Sequence, residues 1–223
     1  MMTTFATYVI TLLCLLLPTM GYCYDLVSEV KDGEGALVEN AVITATPLSG
    51  EIKKPEKNLT AEIDQIDKTF VDFVTPIMVG TTLVFPNSDK IRHQVYSFSE
   101  AKKFEIPLYP PGQGRATPVT FDKPGVVVLG CNIHDWMKAY VYVVETPFFA
   151  KTGKNGKATI KDIPPGQYKI EVWHPYIKKS SATVKQPVNI GKESDMKVDF
   201  VIDVKKALTV RRAPGSIGGG VYP

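Results

Sequence analysis

Gly125-Val126-Val127-Val128-Leu129-Gly130-Cys131-Asn132-Ile133-His134-Asp135-Trp136-Met137-Lys138-Ala139-Tyr140-Val141-Tyr142-Val143-Val144 reads as two apolar strands joined by a loop that carries a thiol, an imidazole and a thioether three residues apart in succession. The Val, Leu and Tyr runs on either side suit pleated backbone. Side chains alternate faces along a strand, so a continuous strand would send Cys131 and His134 to opposite sides. A loop between adjacent strands can instead turn all three donor atoms toward one point. The stretch therefore predicts a β fold and a candidate metal centre together.

Working outward, short runs rich in Val, Ile, Phe and Tyr alternate with Gly, Pro, Asn and Asp turn signals, and no long 3.6-period stripe appears after about residue 24. Strands are expected at Asp25 to Lys31, Ala41 to Thr46, Thr82 to Phe85, Gln94 to Ser97, Lys103 to Ile106, Pro118 to Phe121, Val126 to Leu129 and Ala139 to Val144. A later set, Lys157 to Ile160, Gln167 to Val172, Ser181 to Val184 and Met196 to Asp203, is separated by Gly153-Lys154-Asn155-Gly156, Pro164-Pro165-Gly166 and Pro187. The class is all-β, with one sandwich followed by a second, small one. Glu51 to Lys57, charged and containing Pro55, reads as a linker, and the Gly-rich end of the chain cannot bury enough apolar area to order itself.

His93 stands just after the turn-rich Phe85-Pro86-Asn87-Ser88-Asp89 and opens the expected strand Gln94 to Ser97. A sandwich can bring such a position beside a loop distant in sequence. His93, Cys131, His134 and Met137 then offer a soft thiolate, two imidazoles and a weak axial thioether, the donor set of an electron-transfer copper site. Cu(I) favours the sulfur and Cu(II) accepts the nitrogens, so little rearrangement separates the two states. Zinc is the alternative metal, since one Cys and two His would bind it with water in the fourth position, but zinc gains little from Met137. A thiol enzyme with Cys131 as nucleophile and His134 or His93 as base would leave Met137 unexplained. No Cys-x-x-Cys-His is present for covalent haem. His174, in Trp173-His174-Pro175, reads as a packing residue, with a second metal or docking contact as its functional alternative.

The 223 residues carry a formal charge of +3 with Lys and Arg spread along the chain, which gives no basis for a nucleic-acid partner. Tyr8 to Leu17 is an apolar run too short to span a bilayer comfortably, and Pro18 and Gly21-Tyr22-Cys23 follow it. It reads as a secretory signal peptide over residues 1–23, so the mature chain is expected in the periplasm with no membrane span. No Lys or Arg precedes the run, and retention as an anchor is the alternative. Cleavage after Cys23 would leave Cys131 as the only thiol in an oxidising compartment, where a lone thiol is buried, paired between molecules or held by a metal.

Gly80-Thr81-Thr82-Leu83-Val84-Phe85-Pro86-Asn87-Ser88-Asp89, His93-Gln94-Val95-Tyr96-Ser97-Phe98-Ser99, Phe104-Glu105-Ile106 and the stretch from Pro124 to Met137 together resemble the cupredoxins, most of all the periplasmic cupredoxin-like proteins labelled methylamine utilisation proteins. The spacing of Cys131, His134 and Met137 looks like that of amicyanin. The resemblance implies a Greek-key sandwich over residues 61–145, one type 1 copper, and an electron carrier rather than an enzyme, with copper storage or delivery as the alternative. It also implies a redox protein partner, a dehydrogenase or a c-type cytochrome, with His134 as electron port and Trp136 as loop packing or partner contact. Where the family commonly has Asn after its first His ligand, this chain has Gln94. Residues 146–170 resemble the second half of a carboxypeptidase-regulatory-like, transthyretin-type sandwich, and Val30-Lys31-Asp32-Gly33 with Asn40 to Ala45 its first half. The expected organisation is thus a copper domain inserted into a module made of residues 24–50 and 146–203, with a disordered tail at 204–223.

Overall fold

The computed structural model describes residues 23–52, 59–113, 117–178, 183–191 and 196–205. The expected signal peptide up to residue 22, residues 53–58 of the linker region and residues 206–223 of the tail lie outside the described residues. In chain order the strands are β1 (Tyr24–Lys31), β2 (Val42–Pro47), β3 (Thr60–Glu62), β4 (Gln65–Ile66), β5 (Thr69–Phe70), β6 (Val74–Met78), β7 (Thr82–Val84), β8 (His93–Ser99) and β9 (Lys102–Tyr109). There follow β10 (Val119–Thr120), β11 (Gly125–Gly130), β12 (Lys138–Val144), β13 (Phe149–Lys151), β14 (Lys157–Ile163), β15 (Gly166–Trp173), β16 (Val184–Ile190), β17 (Met196–Lys197) and β18 (Phe200–Val201). The described chain is all-β, and no helix in it is long and apolar enough to cross a membrane.

β11 and β12 pair antiparallel from Gly125↔Val143 to Gly130↔Lys138, which leaves residues 131–137 as the connecting loop. Val127, Leu129, Ala139, Val141 and Val143 point into one core, while Val126, Val128, Tyr140 and Tyr142 join a second apolar cluster on the opposite face. Both faces of this hairpin are covered, which is why its sequence is apolar almost without alternation. The sheet runs β6-β12-β11-β8-β9, and β10-β7-β3 forms the facing sheet. Ile77, Val95, Ile106, Val127 and Val141 from the first sheet and Leu83 and Val119 from the second share one buried cluster, which Phe85 and Phe121 fill.

A second pair of sheets surrounds another core. Here β14-β1-β17, with β18 also on β1, faces β13-β2-β15-β16, and Leu26, Ile43, Ile160, Ile170 and Phe200 are buried between them. β1 pairs with β14 and β2 with both β13 and β15, so strands from the two ends of the described chain hydrogen-bond to each other. The two cores meet where Val42, Val74 and Tyr140 are buried together with Phe73, Tyr142 and Trp173 against them. Tyr142 stacks on Trp173 at 4.5 Å between ring centroids, and Lys151 Nζ reaches across to Asp72 Oδ1 (2.9 Å) and to the Val74 carbonyl (2.7 Å).

Several strands depart from the expected boundaries. Pro187 does not break the chain but lies inside β16, and Pro76 lies inside β6, a strand the sequence reading does not contain. Each is the outermost strand of its sheet, where a missing N–H removes no ladder bond. Met196 to Asp203 is not one strand but two short ones, β17 and β18, both parallel to β1. The expected tail begins in order: Val204 bridges Ile177, and Lys205 N–H donates to the Tyr176 carbonyl.

Candidate metal centre

β8 runs antiparallel to β11 with Gly130 opposite Tyr96, so the residues preceding Tyr96 continue past the end of β11 alongside the loop. His93, the first residue of β8, thereby comes beside Cys131, the first residue of the loop. One ligand atom each from His93, Cys131 and His134 lie within 4.8 Å of one another, and all three residues are buried. Three atoms so spaced leave a central point no more than about 2.8 Å from each, so shifts of at most about 0.8 Å would give the roughly 2.0–2.3 Å bonds of a transition metal.

The hydrogen bonding fits a metal. His93 Nε2 lies 2.9 Å from Asp89 Oδ2. A carboxylate only accepts, so Nε2 carries the hydrogen and Nδ1 presents a lone pair. Nδ1 of His93 and Nδ1 of His134 are both buried without a hydrogen-bond partner. Two orphaned imidazole nitrogens next to one buried thiol would be a costly arrangement unless something electrophilic sits between them.

The local electrostatics point the same way. Burial pushes the Cys131 thiol up, but the His93 ring and the backbone N–H groups of Gln94 and Ile133 outweigh it and hold it below its ordinary value. Burial likewise disfavours the His93 cation, yet Cys131 and Asp89 favour it and the net shift is upward. Both shifts come from the close approach of the Cys131 sulfur and the His93 ring. His134 is shifted down, first by burial and then by the charges of His93 and Lys68, which keeps it a neutral donor. Asp89 stays ionised: burial raises it, but the bonds from His93, Lys68 and Lys90 hold it below the ordinary carboxylate value.

Met137 is 2% exposed and belongs to the same buried cluster as Cys131; its N–H donates to the His134 carbonyl at 2.9 Å, which turns the loop back before β12. Gln94 turns its side chain away, Nε2 donating to Glu105 Oε1 at 2.6 Å, so only its backbone attends to the sulfur. Trp136 lies beside His134, 4.9 Å between ring centroids, and its indole N–H donates to the Lys68 carbonyl at 3.0 Å. His174 is elsewhere, at the end of β15, its Nδ1 accepting from Tyr176 N–H at 3.2 Å. Sequence reasoning missed Asp89, whose only signal was its place in the turn before His93, and Lys68, which had none.

No known protein-family model matches this sequence, and no curated protein matches it. Among solved structures it is similar to a purple cupredoxin from Nitrosopumilus maritimus, at 24% identity over 38% of this chain and 99% of that one, with a TM-score of 0.34. A reduced, Cu(I) form of an amicyanin variant matches at 18% identity over 45% of this chain and 99% of that one, TM-score 0.35. A copper-containing nitrite reductase from Thermus scotoductus SA-01 matches at 28% identity over 45% of this chain and 25% of that one, TM-score 0.36. Each likeness spans less than half of this chain, and the case for a metal centre rests on His93, Cys131 and His134 themselves.

Proposed function

We propose that this protein holds one type 1 copper ion between His93, Cys131, His134 and Met137 and carries single electrons between exported redox proteins. The observation that carries the reading is the buried triangle of one thiol and two imidazoles whose Nδ1 atoms have no other partner. Copper bound there would supply a one-electron couple, Cu(II) to Cu(I), that the side chains lack. The chain's own part is to present donors already in place: Asp89 fixes the tautomer of His93, burial keeps His134 neutral, and backbone N–H groups favour the thiolate. A donor set fixed by its surroundings rearranges little between oxidation states, which suits a carrier. A thioether donor from Met137 is what would favour copper over zinc.

We also read the copper sandwich as inserted into a second one made of residues 24–50 and 146–203, with the pairing of β1 with β14 and of β2 with β15 in support. Export to the periplasm, and a c-type cytochrome or a dehydrogenase as partner, complete the proposal.

The test is titration of the metal-free protein with Cu(II), followed by visible absorption. An intense thiolate-to-Cu(II) band, absent in Cys131→Ser, and reversible one-electron reduction are the expected results. A colourless protein that takes up Zn(II) in preference would overturn the reading.

A further inference from the structure

Lys68 occupies a left-handed backbone conformation (φ 57), and so does its neighbour Asp67 (φ 51). Together they form the two-residue turn between β4 and β5, whose residues pair Gln65↔Phe70 and Ile66↔Thr69. Such turns favour Asn and Gly; a Lys held there is a strained choice that needs surrounding structure to maintain it.

That structure leads to the candidate metal centre from two sides. The Lys68 N–H donates to Asp89 Oδ2 at 2.7 Å, the same oxygen that takes the hydrogen of His93 Nε2 at 2.9 Å. The Lys68 carbonyl accepts from the Trp136 indole at 3.0 Å, and Trp136 packs on His134. The hairpin is itself sewn to the loop before His93. Asp64 accepts from Ser88 N–H (3.1 Å) and Ser88 Oγ (2.7 Å), and Gln65 Nε2 donates to the Pro86 carbonyl (3.1 Å) and bonds the Tyr109 hydroxyl.

We propose that the β4–β5 hairpin is a positioning clasp, in which the backbone of Lys68 couples the orientation of His93, through Asp89, to that of His134, through Trp136. The clasp acts before any metal binds and sets the spacing of the two imidazoles that would receive it. It makes Lys68, Asp89 and Trp136 positioning residues that touch no metal. The role assigned to it rests on the copper reading above, but its existence can be tested without metal.

The experiment is nuclear magnetic resonance of the metal-free protein labelled with 15N-histidine, in which a hydrogen-bonded His93 Nε2–H gives a proton signal slow to exchange with water. Trp136→Phe keeps an aromatic ring against His134 and removes the indole donor. The expected result is that it weakens or abolishes the His93 signal, although the indole N–H bonds the hairpin and not His93. Asp89→Ala should abolish the signal, and Lys68→Asn, which tolerates the left-handed backbone and keeps its N–H and carbonyl, should retain it. With copper added, Asp89→Ala and Trp136→Phe should bind it about 10- to 100-fold more weakly than the unaltered protein. A His93 signal unchanged in Trp136→Phe, or lost in Lys68→Asn, would overturn the clasp. Absence of a thiolate band in the unaltered protein would instead sink the copper reading, and the metal-free signals would still decide the clasp.

Discussion

Gly130 shows how narrowly the residue before the thiolate is constrained. A Cβ added there would lie 2.7 Å from both Cζ and the hydroxyl oxygen of Tyr96, whose ring covers the glycine from the neighbouring strand. The clash is with the far end of a half-buried side chain, so Tyr96 can swing aside at moderate cost. Gly130→Ala is therefore expected to lower stability by about 1 kcal/mol. Truncating the tyrosine should remove most of that difference: in chemical denaturation, Gly130→Ala in a Tyr96→Ala background should cost far less than in the native one, and equal costs would refute the contact. At this scale the site was partly legible. Cys131, His134 and Met137 are set out by their spacing in one loop, and His93 by standing at a strand start after a turn. Asp89 was not, because its separation of four residues from His93 has no meaning outside a helix until the loop folds back and closes the 2.9 Å contact. Lys68 was hidden more deeply, since it acts through backbone atoms that every residue has.

Elements were legible where burial is one-sided or complete and where the strand is long. β1, β8, β11, β12 and β15 carry enough Val, Ile and Tyr for their periodicity to show. The two-residue strands β4 and β5 cannot display a period, and their turn, Asp67-Lys68, lacks the glycine that marks such hairpins. Pro187 read as a break because sequence alone does not say which strand will stand at the edge of a sheet. The β4–β5 turn carries its own prediction. A lysine in the left-handed region is disfavoured where glycine is not, so Lys68→Gly should raise the melting temperature, with a gain of about 0.5–1 kcal/mol. Thermal unfolding of the metal-free protein followed by circular dichroism would measure it, and a lower melting temperature would mean that the lysine side chain contributes more than its backbone strain costs.

Across the whole molecule, the two cores are joined through aromatic side chains, and the outer face of β12, the strand that follows the loop of residues 131–137, is the same face that meets the second sandwich. His174 sits next to this joint: its ring contacts Tyr176 at 5.8 Å, and Tyr176 in turn contacts Phe73 and Tyr140. Burial pushes the His174 pKa down to about 4, with the Glu39 backbone opposing the shift in part. The neutral ring is the one that accepts from Tyr176 N–H, so protonation would break that bond as well as charge the interior. An exposed histidine in the unfolded chain titrates near 6.5. Between about 6.5 and about 4 the unfolded chain therefore binds a proton that the folded protein refuses. Stability fully present at pH 7 is lost as the pH falls through that window, by up to roughly 3 kcal/mol from this one residue. The carboxylates add their own acid dependence, so the informative quantity is a difference between proteins. His174→Gln cannot charge, and its unfolding free energy, measured in urea from pH 7 to pH 4, should fall less steeply than that of the native protein. Parallel curves for the two would show that His174 is solvated in solution and that the joint between the sandwiches opens more readily than its packing implies.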